Sequence, residues 1–207
     1  DSYIYNGNNY LGDIENCTIT LKKNSYIDNG YKNQGNIEHC DITLYSKSHI
    51  FNGVNEQGNI ENCKITLKEI SYIDNGYNSQ GNIELCKLIL CDNSYIFNCR
   101  NNKGDIENCT IILNQETYII NNSYVNNGSE EGNIERCNII LNNQSYIQNG
   151  DINKGSINIC TINLNDCSHI LNGANNQGII GYCTITIDNK SYIINGYENS
   201  IILNSYI

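Results

Sequence analysis

Residues Ser25–Leu44 read SYIDNGYKNQGNIEHCDITL, and the string returns 23 residues later as SHIFNGVNEQGNIENCKITL over Ser48–Leu67. Within it Cys40, Ile42 and Leu44 alternate with Asp41 and Thr43. Period-two alternation of apolar and polar residues is the pattern of a strand with one buried face, not of a helix. The opening residue of the string recurs as Ser2, Ser25, Ser48, Ser71, Ser94, Thr117, Ser145, Ser168 and Ser191, always 23 apart except for a five-residue slip between Thr117 and Ser145. That slip predicts a loop insertion around 122–126.

One such unit cannot bury its apolar face alone, so the copies must stack, and equivalent residues then form ladders about 4.8 Å apart. The sequence therefore predicts an all-β parallel β-solenoid of about nine 23-residue coils, one repeat domain over residues 1–207. A coil of this size exceeds the roughly 18 residues of three hexapeptides, which favours a right-handed β-helix over the left-handed hexapeptide kind. Two invariant columns should fill the interior: Ile14, Ile37, Ile60, Ile83, Ile106, Ile134, Ile157 and Ile180, and three residues later Cys17, Cys40, Cys63, Cys86, Cys109, Cys137, Cys160 and Cys183. Asn-Gly and Gly-Asn are expected at two corners, where glycine relieves a positive φ. Asn at the fifth position, from Asn6 through Asn195, shares parity with the inward Ile and predicts an internal amide ladder; independent surface turns are the alternative. Both ends read as cuts through a longer array, with Ser205-Tyr206-Ile207 opening a further copy. Bare solenoid ends without polar caps would then be prone to stacking end to end.

The chain has no Pro, Met or Trp and 41 Asn residues, a composition that without periodicity would suggest disorder. No apolar run of membrane-spanning length occurs, so no membrane insertion is expected. A formal charge of −10, with 12 Lys and Arg in no continuous stripe, speaks against nucleic acid as a partner.

Eleven cysteines ordinarily suggest a disulfide framework. Eight of them lie in one column at a strand spacing too wide for a disulfide, and a line of ligands does not suit zinc. Buried thiols are expected there, with no metal and no cofactor; Cys91, Cys99 and Cys167 lie outside the column, and Cys91 with Cys99 could pair across a turn. Glu15, Glu38, Glu61, Glu84, Glu107 and Glu135 form an acidic column whose neighbours repel by about 0.9 kcal/mol per pair in water. It is either a cation or basic-partner site or a set of carboxylates capping backbone amides. Many β-helix enzymes act on acidic polysaccharides with clustered Asp and a basic residue, but only Arg100 and Arg136 are arginines here and no Asp cluster breaks the repeat. His49 and His169 merely replace the repeat Tyr. No nucleophile, base and orienter converge, so the chain is expected not to be an enzyme. Thr-x-Thr pairs suited to ice occur at Thr18–Thr20 and Thr184–Thr186 but are interrupted between them.

Binding residues should lie where the framework lets side chains vary. The second position, Tyr or His throughout, predicts an exposed aromatic ladder including Tyr26, Tyr72 and Tyr95. The fourth and seventh positions alternate between Asp28 with Tyr31 or Asp74 with Tyr77 and Phe51 with Val54; Phe97 continues the fourth position, and Leu171 with Ala174 resembles the Phe51 type. An acidic and aromatic patch on every second coil suits protein recognition, since aromatic anchors dominate interface hot spots, and it could also stack sugar rings. The candidate partner-binding residues are Tyr26, Asp28, Tyr31, Phe51, Tyr72, Asp74, Tyr77, Tyr95 and Phe97.

The consensus S-[YH]-I-x-N-G followed by G-N-I-E-x-C-x-I-T-L resembles the repeat of the large scaffoldins of anaerobic gut fungi. The resemblance spans essentially the whole chain, and an abundance of Asn, Ile, Tyr and Lys agrees with it. It implies a non-catalytic, secreted or cell-surface scaffold, cohesin-like in role, whose repeats recruit dockerin-bearing glycoside hydrolases into a cellulosome. Six N-x-S/T sequons, at Asn16, Asn108, Asn121, Asn127, Asn143 and Asn189, are compatible with secretion. The principal alternative is a carbohydrate-binding or adhesive β-helix of the cell surface, with polysaccharide as its partner; a purely structural wall or fibre protein is a third.

Overall fold

The computed structural model describes residues 2–7, 10–30, 32–53, 55–76, 79–99, 103–121, 131–150, 154–173, 176–196, 200–203 and 205. Its regular elements are all short strands, three to a coil; the second copy contributes Tyr26–Asn29, Gly35–Glu38 and Asp41–Leu44. Equivalent strands of successive copies pair in parallel, giving two nine-stranded sheets and one eight-stranded sheet. Ile27 sits opposite Ile4 and Ile50, Ile37 opposite Ile14 and Ile60, and Leu44 opposite Leu21 and Leu67. The chain is a three-sided parallel β-solenoid with about 23 residues per turn.

Three expectations need correction. The eight strands of the third sheet make seven steps, so about seven turns close, fewer than the nine coils expected. The ninth copy adds only Tyr192–Asn195 and Ile201–Leu203. Second, Ser205 does not open a new copy. Ile202 pairs with Ile180, a step of 22, whereas Ile180 pairs with Ile157 at a step of 23. The last copy is thus one residue short, and Ser205 falls into the cysteine column, where the Cys183 N–H donates to its Oγ at 3.2 Å. Third, there are three corners rather than two. The first follows Asn-Gly, with Gly30 at φ 73°. The second is a single left-handed residue between the second and third strands, such as His39 at φ 55° or Asn62 at 52°. The third is a tandem left-handed pair, such as Ser46 and Lys47 at 52° and 63°. The Gly-Asn pair expected at a corner instead opens the second strand, as Gly35-Asn36.

Left-handed backbone costs a non-glycine residue about 1–2 kcal/mol. Hydrogen bonds that carry the coil-to-coil ladder around the corners offset that strain: His39 N–H donates to the Glu61 carbonyl and Lys47 N–H to that of Glu69, both at 3.0 Å. Because the demand falls on the backbone, the side-chain identity at these corners is free to vary.

The inward columns are sealed. Ile37, Ile42, Leu44, Ile50, Ile65, Leu67 and Ile73 are fully buried, each such burial contributing roughly 1.5–3 kcal/mol. Cys40, Cys63, Cys86, Cys109, Cys137, Cys160 and Cys183 are buried beside them, as expected, while Cys17 of the first coil is exposed. Each thiol donates to the carbonyl two residues back, as Cys40 does to Glu38 at 3.0 Å, and burial pushes the Cys40 thiol pKa up. Cys91 and Cys99 form no disulfide; the Cys99 thiol instead donates to the Ser79 carbonyl.

The internal Asn ladder is present. Asn29 donates to Asn52 Oδ1 at 2.7 Å, Asn52 to Asn75 at 2.8 Å and Asn75 to Asn98 at 2.9 Å. The same Asn52 amide also reaches the carbonyls of Gly35 and Asn59 at 3.1 Å, so one buried group ties the first side to the second. This explains the glycine that opens the second strand: a Cβ at Gly58 would meet Asn75 Oδ1 and the Gly76 nitrogen at 2.5 Å.

The pairing step is 23 residues from Tyr95 to Tyr118 and 28 from Gly104 to Gly132. The five extra residues therefore fall between Asn121 and Glu131. The expected loop itself, at 122–126, lies outside the described residues.

Candidate functional site

With the interior given to Ile, Leu, Cys and Asn, the chemistry that differs from coil to coil faces outward on three sides. On the first side the outward positions are the second and fourth of each copy. The second-position rings stack into a column: Tyr26 on His49 with centroids 5.0 Å apart and planes at 4°, His49 on Tyr72 at 4.8 Å and 8°, and Tyr72 on Tyr95 at 4.9 Å and 5°. Tyr146, His169 and Tyr192 repeat the arrangement at 5.1 and 4.9 Å. The ladder exists but is half-buried in its middle rather than exposed. Parallel registration at a strand spacing forces the rings face to face, so neighbours occupy most ring faces and edges point outward. Burial lowers the pKa of His49 and His169, while hydrogen bonding from their backbone surroundings opposes it.

The fourth position brings Tyr5, Asp28, Phe51, Asp74 and Phe97 into one register row. Phe51 packs edge-on against His49 at 4.9 Å and Tyr72 at 5.9 Å, and Phe97 against Tyr95 at 5.1 Å. Tyr5 lies edge-on to Tyr26 at 5.8 Å, and their hydroxyls share a hydrogen bond. The expected exposed acidic patch is corrected here: Asp28 is only 7% and Asp74 only 1% exposed. An Asp side chain is shorter than the rings on either side and sits low between them. Asp28 Oδ1 has no hydrogen-bond partner, and burial pushes its pKa up. The structure thus brings Tyr26, Asp28, Phe51, Tyr72, Asp74, Tyr95 and Phe97 onto one side. Tyr31, Tyr77, Val54 and Ala174, expected beside them, lie outside the described residues, as does the sequon residue Asn127.

The second side carries the Glu column in register from Glu15 to Glu135. Glu107 is shifted upward by burial first and then by Glu135, Asp105 and Glu84, with Arg136 opposing. Glu135 pairs with Arg136 at 2.7 Å. A shallow cleft of about 130 Å³ is lined by Asn82, Ile83, Glu84, Asp105 and Glu107. Among the described residues no group of three or more His, Cys, Asp or Glu is arranged to hold a metal ion. The third side is mixed: Lys64 pairs with Asp41 at 3.3 Å, and the ammoniums of Lys22 and Lys68 lie 5.8 and 5.7 Å from the Tyr45 ring centroid.

Two devices were not anticipated. The serine opening each copy is buried at the third corner, where Ser48 Oγ donates to the carbonyls of Tyr45 and Leu21 at 2.6 and 3.1 Å; its invariance beside a polar turn was the available signal. A second amide ladder runs outside the second side, Asn82 to Asn59 at 3.1 Å, Asn59 to Asn36 at 3.0 Å and Asn36 to Asp13 at 2.8 Å. Comparison of the chain with protein-family models, curated proteins and solved structures finds no match.

Proposed function

We propose that this solenoid is a non-catalytic scaffold that binds protein modules through its first side, and that its partners are the dockerin modules of plant-cell-wall-degrading glycoside hydrolases, as the resemblance to fungal scaffoldins implies. The observation that carries this is the fourth-position row, in which low, desolvated carboxylates alternate with aromatic rings at a fixed pitch. Rigid rings on a preorganised frame lose little entropy on binding and supply the anchors typical of protein interfaces. A buried carboxylate oxygen with no donor gains a hydrogen bond only when a partner brings one.

Face-to-face stacking of the second-position column weighs against the glycan alternative, because a sugar needs an open ring face and stacked neighbours already cover most of them. The repeat makes the scaffold multivalent by construction, which suits assembly of several enzymes on one secreted or cell-surface chain.

The test is capture from an anaerobic fungal secretome on immobilised chain, beside a Phe51→Ala/Phe97→Ala variant, with bound proteins identified by mass spectrometry. Dockerin-bearing hydrolases are expected on the parent and strongly depleted on the variant. Capture of neither such enzymes nor other proteins by folded parent chain would overturn the proposal.

A further inference from the structure

Asp28 stands apart from the other buried polar groups of the solenoid. Ser48, Asn29, Asn52 and Asn75 are all bonded within their ladders. Asp28 is 7% exposed, and its Oδ1 has no partner. Its register neighbours on the outward row are Tyr5 and Phe51, and the stacked Tyr26 and His49 rings stand two residues back on the same two coils. Tyr5 and Phe51 lie two strand spacings apart, about 9.6 Å. Between them the short Asp side chain leaves a notch with a carboxylate at its floor and a ring at each end.

A group placed midway in such a notch lies about 5 Å from either ring, inside the roughly 6 Å over which an aromatic face attracts a cation. The carboxylate below supplies opposite charge in surroundings that water screens poorly. Neutral ligands could fill the space but would leave the acid without a counter-charge, and an anion would be repelled by it. The chemistry selects a compact or planar cation carrying N–H donors.

We propose that the notch over Asp28 binds a cationic side chain, a guanidinium or ammonium group projecting from the protein partner. This rests on the first side being the docking surface and adds what the partner must present there. Asp74 repeats the register between Phe51 and Phe97, so a partner spanning two coils meets the same row of rings and acid again.

The experiment titrates N-acetylarginine amide, with N-acetylglutamine amide as neutral control, into the folded chain while the aromatic proton resonances of Phe51 and Tyr26 are followed by NMR. The expected result is a saturable shift with the arginine probe alone, weakened at least tenfold in Asp28→Asn and unchanged in Glu38→Gln on the second side. Asp28→Asn removes a desolvated charge and retains the shape, so the variant should fold; circular dichroism verifies it. A non-saturable shift, equal response to the glutamine probe, or equal affinity in Asp28→Asn would overturn the proposal. Arginine binding without capture of dockerin-bearing enzymes would keep the cation site and reject the proposed partner, whereas capture that survives Asp28→Asn together with no arginine binding would do the reverse.

Discussion

At the residue scale, the sharpest consequences follow from groups whose burial opposes their chemistry. Asp28 has a folded-state pKa raised by burial above its ordinary 3.8, so the folded state holds the proton more tightly than the unfolded chain. Its contribution is therefore complete below that ordinary value and lost as pH rises through the folded one. Asp28→Asn should raise stability at neutral pH by about 1 kcal/mol and flatten the acid side of the curve, as thermal unfolding across pH 3–7 would measure. The histidines run the other way. Burial lowers the pKa of His49 and His169 below the ordinary 6.5, so the stability that goes with their neutral rings is complete above that value and lost as pH falls through the folded one. Replacing both with the repeat's own Tyr should remove that loss, measured by the same scans. Ile70 holds φ 63° with a β-branched side chain 48% exposed. Ile70→Gly should stabilise by about 1 kcal/mol, read as a higher denaturant midpoint at constant slope.

At the scale of the strand and its ladder, one change propagates to both neighbours. Asn75 accepts from Asn52, donates to Asn98 and reaches the carbonyls of Gly58 and Asn82. Asn75→Ala should cost about 3 kcal/mol, because it leaves buried groups unmet on both adjacent coils. The cysteine column predicts a reactivity pattern: with a thiol reagent on native chain, exposed Cys17 and Cys167 react first, while the buried members from Cys40 to Cys183 react only on unfolding. This column was legible in the sequence because a side chain repeated every 23 residues on the apolar parity can only stack inward. The depth of Asp28 and Asp74 was not legible. It depends on the height of Tyr5, Phe51 and Phe97 one coil away, which no single repeat reveals. Nor were the three corners, since left-handed backbone there is held by carbonyls of the next coil and accepts His39, Asn62, Leu85 or Arg136 alike.

At the scale of the whole molecule, the repeat decides both what is constant and what can carry function. Parallel pairing at one register over three sheets follows from the period itself. The last coil was misread because one missing residue placed a Ser-Tyr-Ile string in the wrong phase, which only pairing of Ile180 with Ile202 exposes. Function was legible only as a contrast between invariant interior and variable exterior, and the stacked rings have narrowed that exterior to the fourth-position row. Such a surface addresses a repeating or multivalent partner better than a single substrate.

The most direct measurement is calorimetric titration of one purified dockerin-bearing hydrolase into three chains: the parent, Phe51→Ala/Phe97→Ala on the first side, and Glu38→Gln/Glu61→Gln/Glu84→Gln on the second. Saturable binding to the parent, weakened at least tenfold in the first-side variant and retained in the second-side variant, is the expected result. Absence of binding to the folded parent, or loss confined to the second-side variant, would contradict a scaffold that docks its enzymes along the aromatic and acidic row.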